Sequence, residues 1–324
     1  MSTPAPAQHT VPAPSAGPRE LLDVPAPAKL NLFLHVVGRR PDGYHLLQSV
    51  FVLLDWVDVL HFERRAGGRV DRSDVHPGAQ ALPADDLCVR AARALQQATG
   101  CTEGVHITLD KRLPAQAGLG GGSSDAATCL LALNRLWRLG LSPAELQRIG
   151  VTLGADVPFF LGGQNAWVEG IGEQITPLVL PDWPARFLVA KPPEGVSTPQ
   201  IFGHPALKRD TKRSIIEDFV ASTGTQPDSK HGNGWTTPLY GHNDLQAPAE
   251  MLCPDISWGL ERFRQMGLAG RMSGSGSAIF SPLGRAGGMD PTAESEHQVL
   301  LAGWPSGWVV RVCNRLDRHP LLGW

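Results

Sequence analysis

Pro114-Ala115-Gln116-Ala117-Gly118-Leu119-Gly120-Gly121-Gly122-Ser123-Ser124-Asp125 decides how this chain is read. Four of the five residues from 118 to 122 are glycine, so backbone N–H groups there meet a ligand without side-chain obstruction. The paired serines open a segment with helical character, whose unpaired N–H groups and positive dipole end face the same point. Such a junction is an anion site, and polyphosphate is its usual occupant. A flexible turn between strand and helix is the blander reading, but a turn needs fewer glycines and no serine pair. The spacing is neither GxxxxGK[ST] nor GxGxxG, which removes the two common nucleotide-binding loops.

Upstream, Val105 to Leu109 reads as a short strand leading into Lys111 and Arg112. Before it, Asp85 to Ala98 has helical spacing, with Leu87, Ala91, Ala94 and Leu95 as the apolar stripe. Downstream, Ser123 to Leu139 is expected as one helix ending at Gly140. Ser142-Pro143-Ala144-Glu145 is a capping box with proline at the first helical position. Leu153-Gly154-Ala155-Asp156-Val157-Pro158 breaks that helix and sets a carboxylate in a Gly- and Pro-flanked loop.

Further out, Lys29 to Val37 alternates as a strand. Leu30, Leu32, Leu34 and Val36 share one face; Lys29, Asn31, Phe33 and His35 share the other. Pro41 to His45 is a turn, and Gln48 to Phe62 supplies one or two strands. In the C-terminal half, Phe187 to Ala190 reads as a buried strand followed by a turn over Lys191 to Gly195. Ser222 to Tyr240 reads as an inserted loop and Ile256 to Met266 as a helix. Met272 to Ser277 is a second glycine cluster before the strand Ala278-Ile279-Phe280, either a tight turn or a place where backbone amides hold an anion or let substrate approach closely. Strands and helices mix without strict βαβ alternation, so the expected class is α+β.

The 324 residues are expected to form about two domains. Residues 1–20, rich in Pro, Ala, Ser and Thr, are expected as a disordered tail, with domains over 21–180 and 181–324. A formal charge of −2 excludes the electrostatic footprint of a nucleic-acid binder. Five cysteines without CxxC pairs suit buried thiols in a reducing cytoplasm. The histidines show no zinc-ligand spacing, no apolar run is long enough to span a bilayer, and the sequence assigns no oligomeric state.

Phosphoryl transfer needs a phosphate cradle, a cation on the developing charge, a carboxylate near the attacking hydroxyl, and Mg2+. The loop from Pro114 to Ser124 with Lys29 and Asp156 fits those parts, although Lys29 alone reads as a solvated strand residue and Asp156 as a loop carboxylate bonded to backbone N–H groups. The Mg2+ ligand stays open between Ser123 and Ser124.

PAPAKLNLFL, PAQAGLGGGSSDAA and RMSGSGSAIF, in that order, resemble the three motifs of the GHMP kinase superfamily. With Asp42-Gly43-Tyr44-His45, Leu153 to Pro158 and Glu169-Gly170-Ile171-Gly172-Glu173, the finer match is to its branch acting on a cytidine diphosphate-linked polyol. That resemblance implies an ATP-dependent kinase for the 2-hydroxyl of a methylerythritol moiety in non-mevalonate isoprenoid precursor synthesis. It also implies an N-terminal α+β nucleotide-binding domain with a C-terminal ferredoxin-like domain. By position it implies Asp156 as the catalytic carboxylate, with Lys29 contacting it and the hydroxyl. It further implies Asn31 on the substrate, Tyr44 and Phe202 on the two faces of cytosine, His45 on the ring edge and Lys111 bordering the adenine pocket. Where the family has Asn before Leu beside adenine, this chain has Asp86-Leu87, and a carboxylate has no N–H to donate. The competing readings are a GHMP kinase for another small alcohol, of the homoserine or mevalonate type, and a nucleotide sensor without catalysis.

Overall fold

The computed structural model describes residues 18–76, 82–180, 184–224, 239–283 and 294–324. All but the end of the expected tail, and most of the loop expected over Ser222–Tyr240, lie outside them.

Two long antiparallel strands, β1 (Glu20–Arg39) and β2 (His45–Arg65), form the spine. β1 is buried on both faces from Ala26 to Val36, so simple alternation fails there. Its residues enter three core clusters, and an irregular register between Asn31 and Leu34 brings Leu32 and Phe33 into the same one. β2 is one strand rather than two. Its far edge is shared by three partners in succession: β5 at Leu47–Phe51, β10 at Leu53–Leu54 and β4 at Val59–Arg65. β3 (Val70–Asp74) runs parallel to β4 (Gly104–Asp110), and β5 (Ala166–Gly170) pairs with β6 (Gln174–Pro177).

α1 (Leu87–Thr99), α2 (Gly121–Leu136), α3 (Pro143–Leu153) and α4 (Val157–Gly162) pack together against this sheet. The buried residues of α1 are Cys88, Val89, Ala91, Ala92 and Leu95; Leu87 and Ala94 are half-buried, so the stripe is rotated from the expected one. α2 starts two residues earlier than expected, because Gly120 at φ 71° turns the chain and its carbonyl already accepts from Ser124 N at 2.9 Å. It ends at Leu136 rather than Leu139. Arg138 enters the left-handed region (φ 56°), and the Asn134 amide bonds both backbone groups of Leu141 at 2.9 and 3.0 Å. α3 carries the expected capping box between Ser142 and Glu145.

The C-terminal half runs β7 (Arg186–Lys191), α5 (Thr198–Gly203), α6 (Ile216–Gly224), α7 (Gln246–Leu252), α8 (Pro254–Gln265), β8 (Arg271–Met272), β9 (Ile279–Leu283), α9 (Glu294–Leu301) and β10 (Val309–Leu316). The strand order β10-β7-β9-β8, with helices after β7 and β9, is the βαββαβ ferredoxin-like arrangement. The boundary expected at residue 180 lies between β6 and β7, yet Trp167 and Leu180 share a core cluster with Phe187, Phe280 and Cys313. Four of the five cysteines are buried free thiols, and Cys101 is half-buried. Among the described residues no helix is long and apolar enough to cross a membrane.

Candidate active site

The two glycine clusters form one structure. Ser277 N and Ala278 N donate to Gln116 O and Ala117 O, each at 3.1 Å, and Ser273 Oγ donates to Gly118 O at 3.0 Å. Gly118 sits at φ 71°, where a Cβ would meet Ser273 O at 2.1 Å. The second cluster is therefore the backing against which the first loop is held, a role that neither expected reading included, and its Gly274 and Gly276 take the positive φ values of a turn. On the opposite side Lys29 N donates to Leu119 O at 2.9 Å, tying β1 to the loop.

That tie delivers the Lys29 side chain to the mouth of the loop. Its ammonium is buried, 3.5 Å from Asp156 Oδ2, and lies 4.7 Å above the Phe51 ring. Burial removes the solvated-strand reading of this lysine. Asn31, two residues along the same strand, accepts from Lys29 Nζ at 2.5 Å. Its amide orientation is set by donation to Ser49 Oγ at 3.0 Å, and Ser49 in turn donates to Phe33 O. Asp156 is the residue immediately before α4, brought in by the break at Gly154. A carboxylate, an ammonium and an amide oxygen thus converge at one point through bonds that leave little freedom to reorganise.

All three side chains line a cavity of about 760 Å³. Gly118, Gly120 and Ser123 line it from the loop; Ser124 is fully buried behind them. The same cavity is lined by Tyr44, which is 61% exposed, and by His45, which stacks on Phe202 with ring centroids 4.9 Å apart and planes at 28°. The face of Phe202 is thus met by the His45 ring. Arg209, a residue without motif character in the sequence, donates to His45 Nε2 at 3.1 Å.

Lys111 lies at the foot of the loop, not along the cavity, with its ammonium between Asp58 and Asp125. Asp58 is fully buried and its second oxygen accepts from Arg112 N and Leu113 N at 2.6 and 2.7 Å. Burial disfavours the Lys111 charge, but the two carboxylates outweigh it and hold its pKa above the usual lysine range. Asp125 is pushed well up, first by burial and then by the Asp58 charge, against the pull of Lys111. Its Oδ1 has no hydrogen-bond partner among the described residues. The cluster joins β2, the end of β4 and the first turn of α2, so it clamps both ends of the glycine loop. The only sequence signals for it are one of the two acids, Asp55 and Asp58, in the apolar run of β2 and an acid directly after the serine pair. Asp86 caps α1, accepting from Val89 N at 3.1 Å.

The family described as GHMP kinases N terminal domain matches residues 86–164. A 4-diphosphocytidyl-2-C-methyl-D-erythritol kinase of Polaromonas naphthalenivorans is 54% identical over 312 residues, spanning 94% of this chain and 96% of that one. The kinase of that name from Acidovorax sp. is 56% identical over 306 residues, spanning 94% and 98%. A crystal structure of a 4-(cytidine 5'-diphospho)-2C-methyl-D-erythritol kinase superposes with a TM-score of 0.69 at 36% identity, over 91% of this chain and 99% of that one. A homoserine kinase from Cytophaga hutchinsonii shares the fold at a TM-score of 0.63 and 16% identity, over 93% of this chain and 96% of that one. The motifs, the ferredoxin-like C-terminal half and these likenesses agree: this chain belongs to the 4-diphosphocytidyl-2-C-methyl-D-erythritol kinase family of GHMP kinases.

Proposed function

We propose that this protein transfers the γ-phosphoryl group of ATP to the 2-hydroxyl of 4-diphosphocytidyl-2-C-methyl-D-erythritol. One observation carries the reading: the Lys29, Asn31 and Asp156 cluster and the His45–Phe202 pair line the same cavity. The substrate carries both a reacting alcohol and a base, as the cavity carries both sets of side chains.

In this reading the loop from Pro114 to Ser124 holds the triphosphate through backbone N–H groups and the first turn of α2. Asp156 accepts a hydrogen bond from the 2-hydroxyl and aligns its oxygen with the γ-phosphorus, taking the proton as the new bond forms. Lys29, held buried beside Asp156, meets the negative charge that spreads over the transferring oxygens. Asn31 orients the Lys29 ammonium and the polyol. Tyr44, His45 and Phe202 receive cytosine, and Lys111 shapes the nucleotide side by clamping the loop.

Bound Mg2+ would supply positive charge to offset that of the phosphates. Ser123, which lines the cavity, would hold it, since Ser124 is buried. Among the described residues no group of three or more His, Cys, Asp or Glu side chains is arranged for a metal. This suits an ion that keeps waters and phosphate oxygens as most of its ligands.

The test is turnover with ATP and Mg2+, with homoserine and mevalonate assayed in parallel. The cytidyl substrate is expected to be phosphorylated, and Asp156→Asn is expected to lower kcat by at least about a hundredfold while melting like the wild type. Wild-type protein that binds ATP and the cytidyl substrate without forming product overturns the reading in favour of a sensor. Faster turnover of either other alcohol overturns the substrate assignment.

A further inference from the structure

The Arg209 guanidinium makes four hydrogen bonds and has no carboxylate partner among the described residues. Nη1 donates to Leu207 O at 2.9 Å, and Nη2 donates to Phe202 O and His204 O at 3.0 and 3.1 Å. These carbonyls lie at and just beyond the C-terminal end of α5, where helix carbonyls lose their intrahelical donors. The fourth bond crosses to the start of β2, from Arg209 Nε to His45 Nε2. One planar fork therefore fixes the backbone that carries Phe202 and the ring that stacks on it.

The bond to His45 has a chemical consequence. A guanidinium has donors only and stays charged, so the atom it meets must carry a lone pair. In neutral imidazole one nitrogen accepts and the other donates, and the partner of one sets the state of the other. Nε2 is the acceptor, so the ring proton of His45 resides on Nδ1. Burial, followed by the charges of Arg209 and Arg39, lowers the His45 pKa, which favours this neutral ring over imidazolium. Nδ1 has no protein partner among the described residues. The ring plane is held by the Phe202 stack as well as by the Arg209 bond, so the donor points in a fixed direction.

We propose that Arg209 is a specificity-determining positioning residue, forcing the Nδ1–H tautomer of His45 so that its free ring nitrogen donates to the base. This rests on the reading above that His45 meets the pyrimidine edge. Cytosine offers an unprotonated N3 acceptor beside O2, whereas uracil carries a proton on N3. A fixed ring donor completes a hydrogen bond with the first and opposes a second donor in the other. Discrimination of this kind arises because a polar group of the site is left unpaired by the wrong ligand. Without Arg209 the imidazole is free to exchange tautomers, and the donor that excludes uracil is no longer enforced.

Nitrogen NMR of protein labelled at histidine, with the His45 signals assigned by their loss in His45→Gln, reads the tautomer directly in the wild type at neutral pH. The expected result is protonated Nδ1 and unprotonated Nε2; an Nε2–H tautomer or an imidazolium overturns the inference with no variant needed. Calorimetric Kd values for cytidine 5'-diphosphate and uridine 5'-diphosphate then read its effect. Arg209→Met is expected to lower the preference for cytidine at least about tenfold, the size of one lost hydrogen-bond distinction. Arg209→Lys, which keeps a charged donor but not the planar fork, is expected to recover part of it, with the calorimetric Kd for ATP within about twofold of wild type in both variants. A folded Arg209→Met that keeps the wild-type ratio overturns the inference. These arms do not depend on turnover, so failure of the kinase assay removes the proposed function separately.

Discussion

Replacing Gly118 by alanine tests whether the two glycine clusters work as one part. The residue sits at φ 71°, where an alanine costs roughly 1–2 kcal/mol relative to right-handed backbone. Its Cβ would stand 2.1 Å from Ser273 O, 3.0 Å from Ser273 C and 3.0 Å from Gly276 N. All three are backbone atoms, so no rotamer change relieves the contact. Restoring an ordinary contact requires the clusters to part by about 1 Å or more. The bonds Ser277 N to Gln116 O, Ala278 N to Ala117 O and Ser273 Oγ to Gly118 O start at 3.0 to 3.1 Å and would be broken or badly stretched. At about 1 kcal/mol each, their loss brings the total to roughly 4–5 kcal/mol. Gly140→Ala is the control: φ is 65° there too, but no atom lies within 4 Å of the added Cβ, so it carries the backbone cost alone. Urea denaturation and steady-state kinetics of both variants are the assay. Gly118→Ala should lose stability severalfold more than Gly140→Ala, and its kcat/KM for ATP should fall about a hundredfold, the usual result of displacing a reacting group by about 1 Å. Equal stabilities, with activity retained in Gly118→Ala, would refute the claim that the second cluster holds the first.

Asp58→Ala removes one of the two carboxylates on Lys111 and strands the N–H groups of Arg112 and Leu113, so urea denaturation should show a loss of about 3–5 kcal/mol. Asp85→Ala, which breaks only the surface pair with Arg93, should cost less than about 1 kcal/mol by the same measurement. Burial lowers the pKa of His319 to about 4. Between about pH 6.5 and that value the unfolded chain takes up a proton that the folded protein refuses, so stability is present above pH 6.5 and declines as pH falls. His35, lowered to about 4 chiefly by burial, adds to the decline with the same sign. Denaturation at pH 7 and pH 4.5 should show His319→Gln losing less stability across that interval than the wild type; an equal loss would rule out the histidine contribution.

The site was legible where its parts are short-range. Lys29 and Asn31 stand two apart on a strand, the glycine loop is contiguous, and both the capping box and the break before Asp156 are written in single local segments. The parts that escaped sequence reading join residues far apart in the chain. Asp58 and Lys111 are separated by 53 positions and His45 and Arg209 by 164, and none of these pairings leaves a periodic trace. Local signals also misplaced the ends of α2, because Gly140 is a fitting terminator while Asn134 and the left-handed Arg138 close the helix a turn earlier.

The sequence by itself determined the local conformations and the inventory of reactive groups, since backbone freedom at glycine, capping and strand alternation act over a few residues. The tertiary structure decided which of those groups face one another. It buried both faces of β1, set the second glycine cluster behind the first, and turned Lys111 and Arg209 from surface-type cations into clamps. The physical reason is that desolvation and hydrogen-bond partnership are properties of the assembled neighbourhood. A lysine or a histidine acquires its charge state and direction only when strands from distant parts of the chain meet around it.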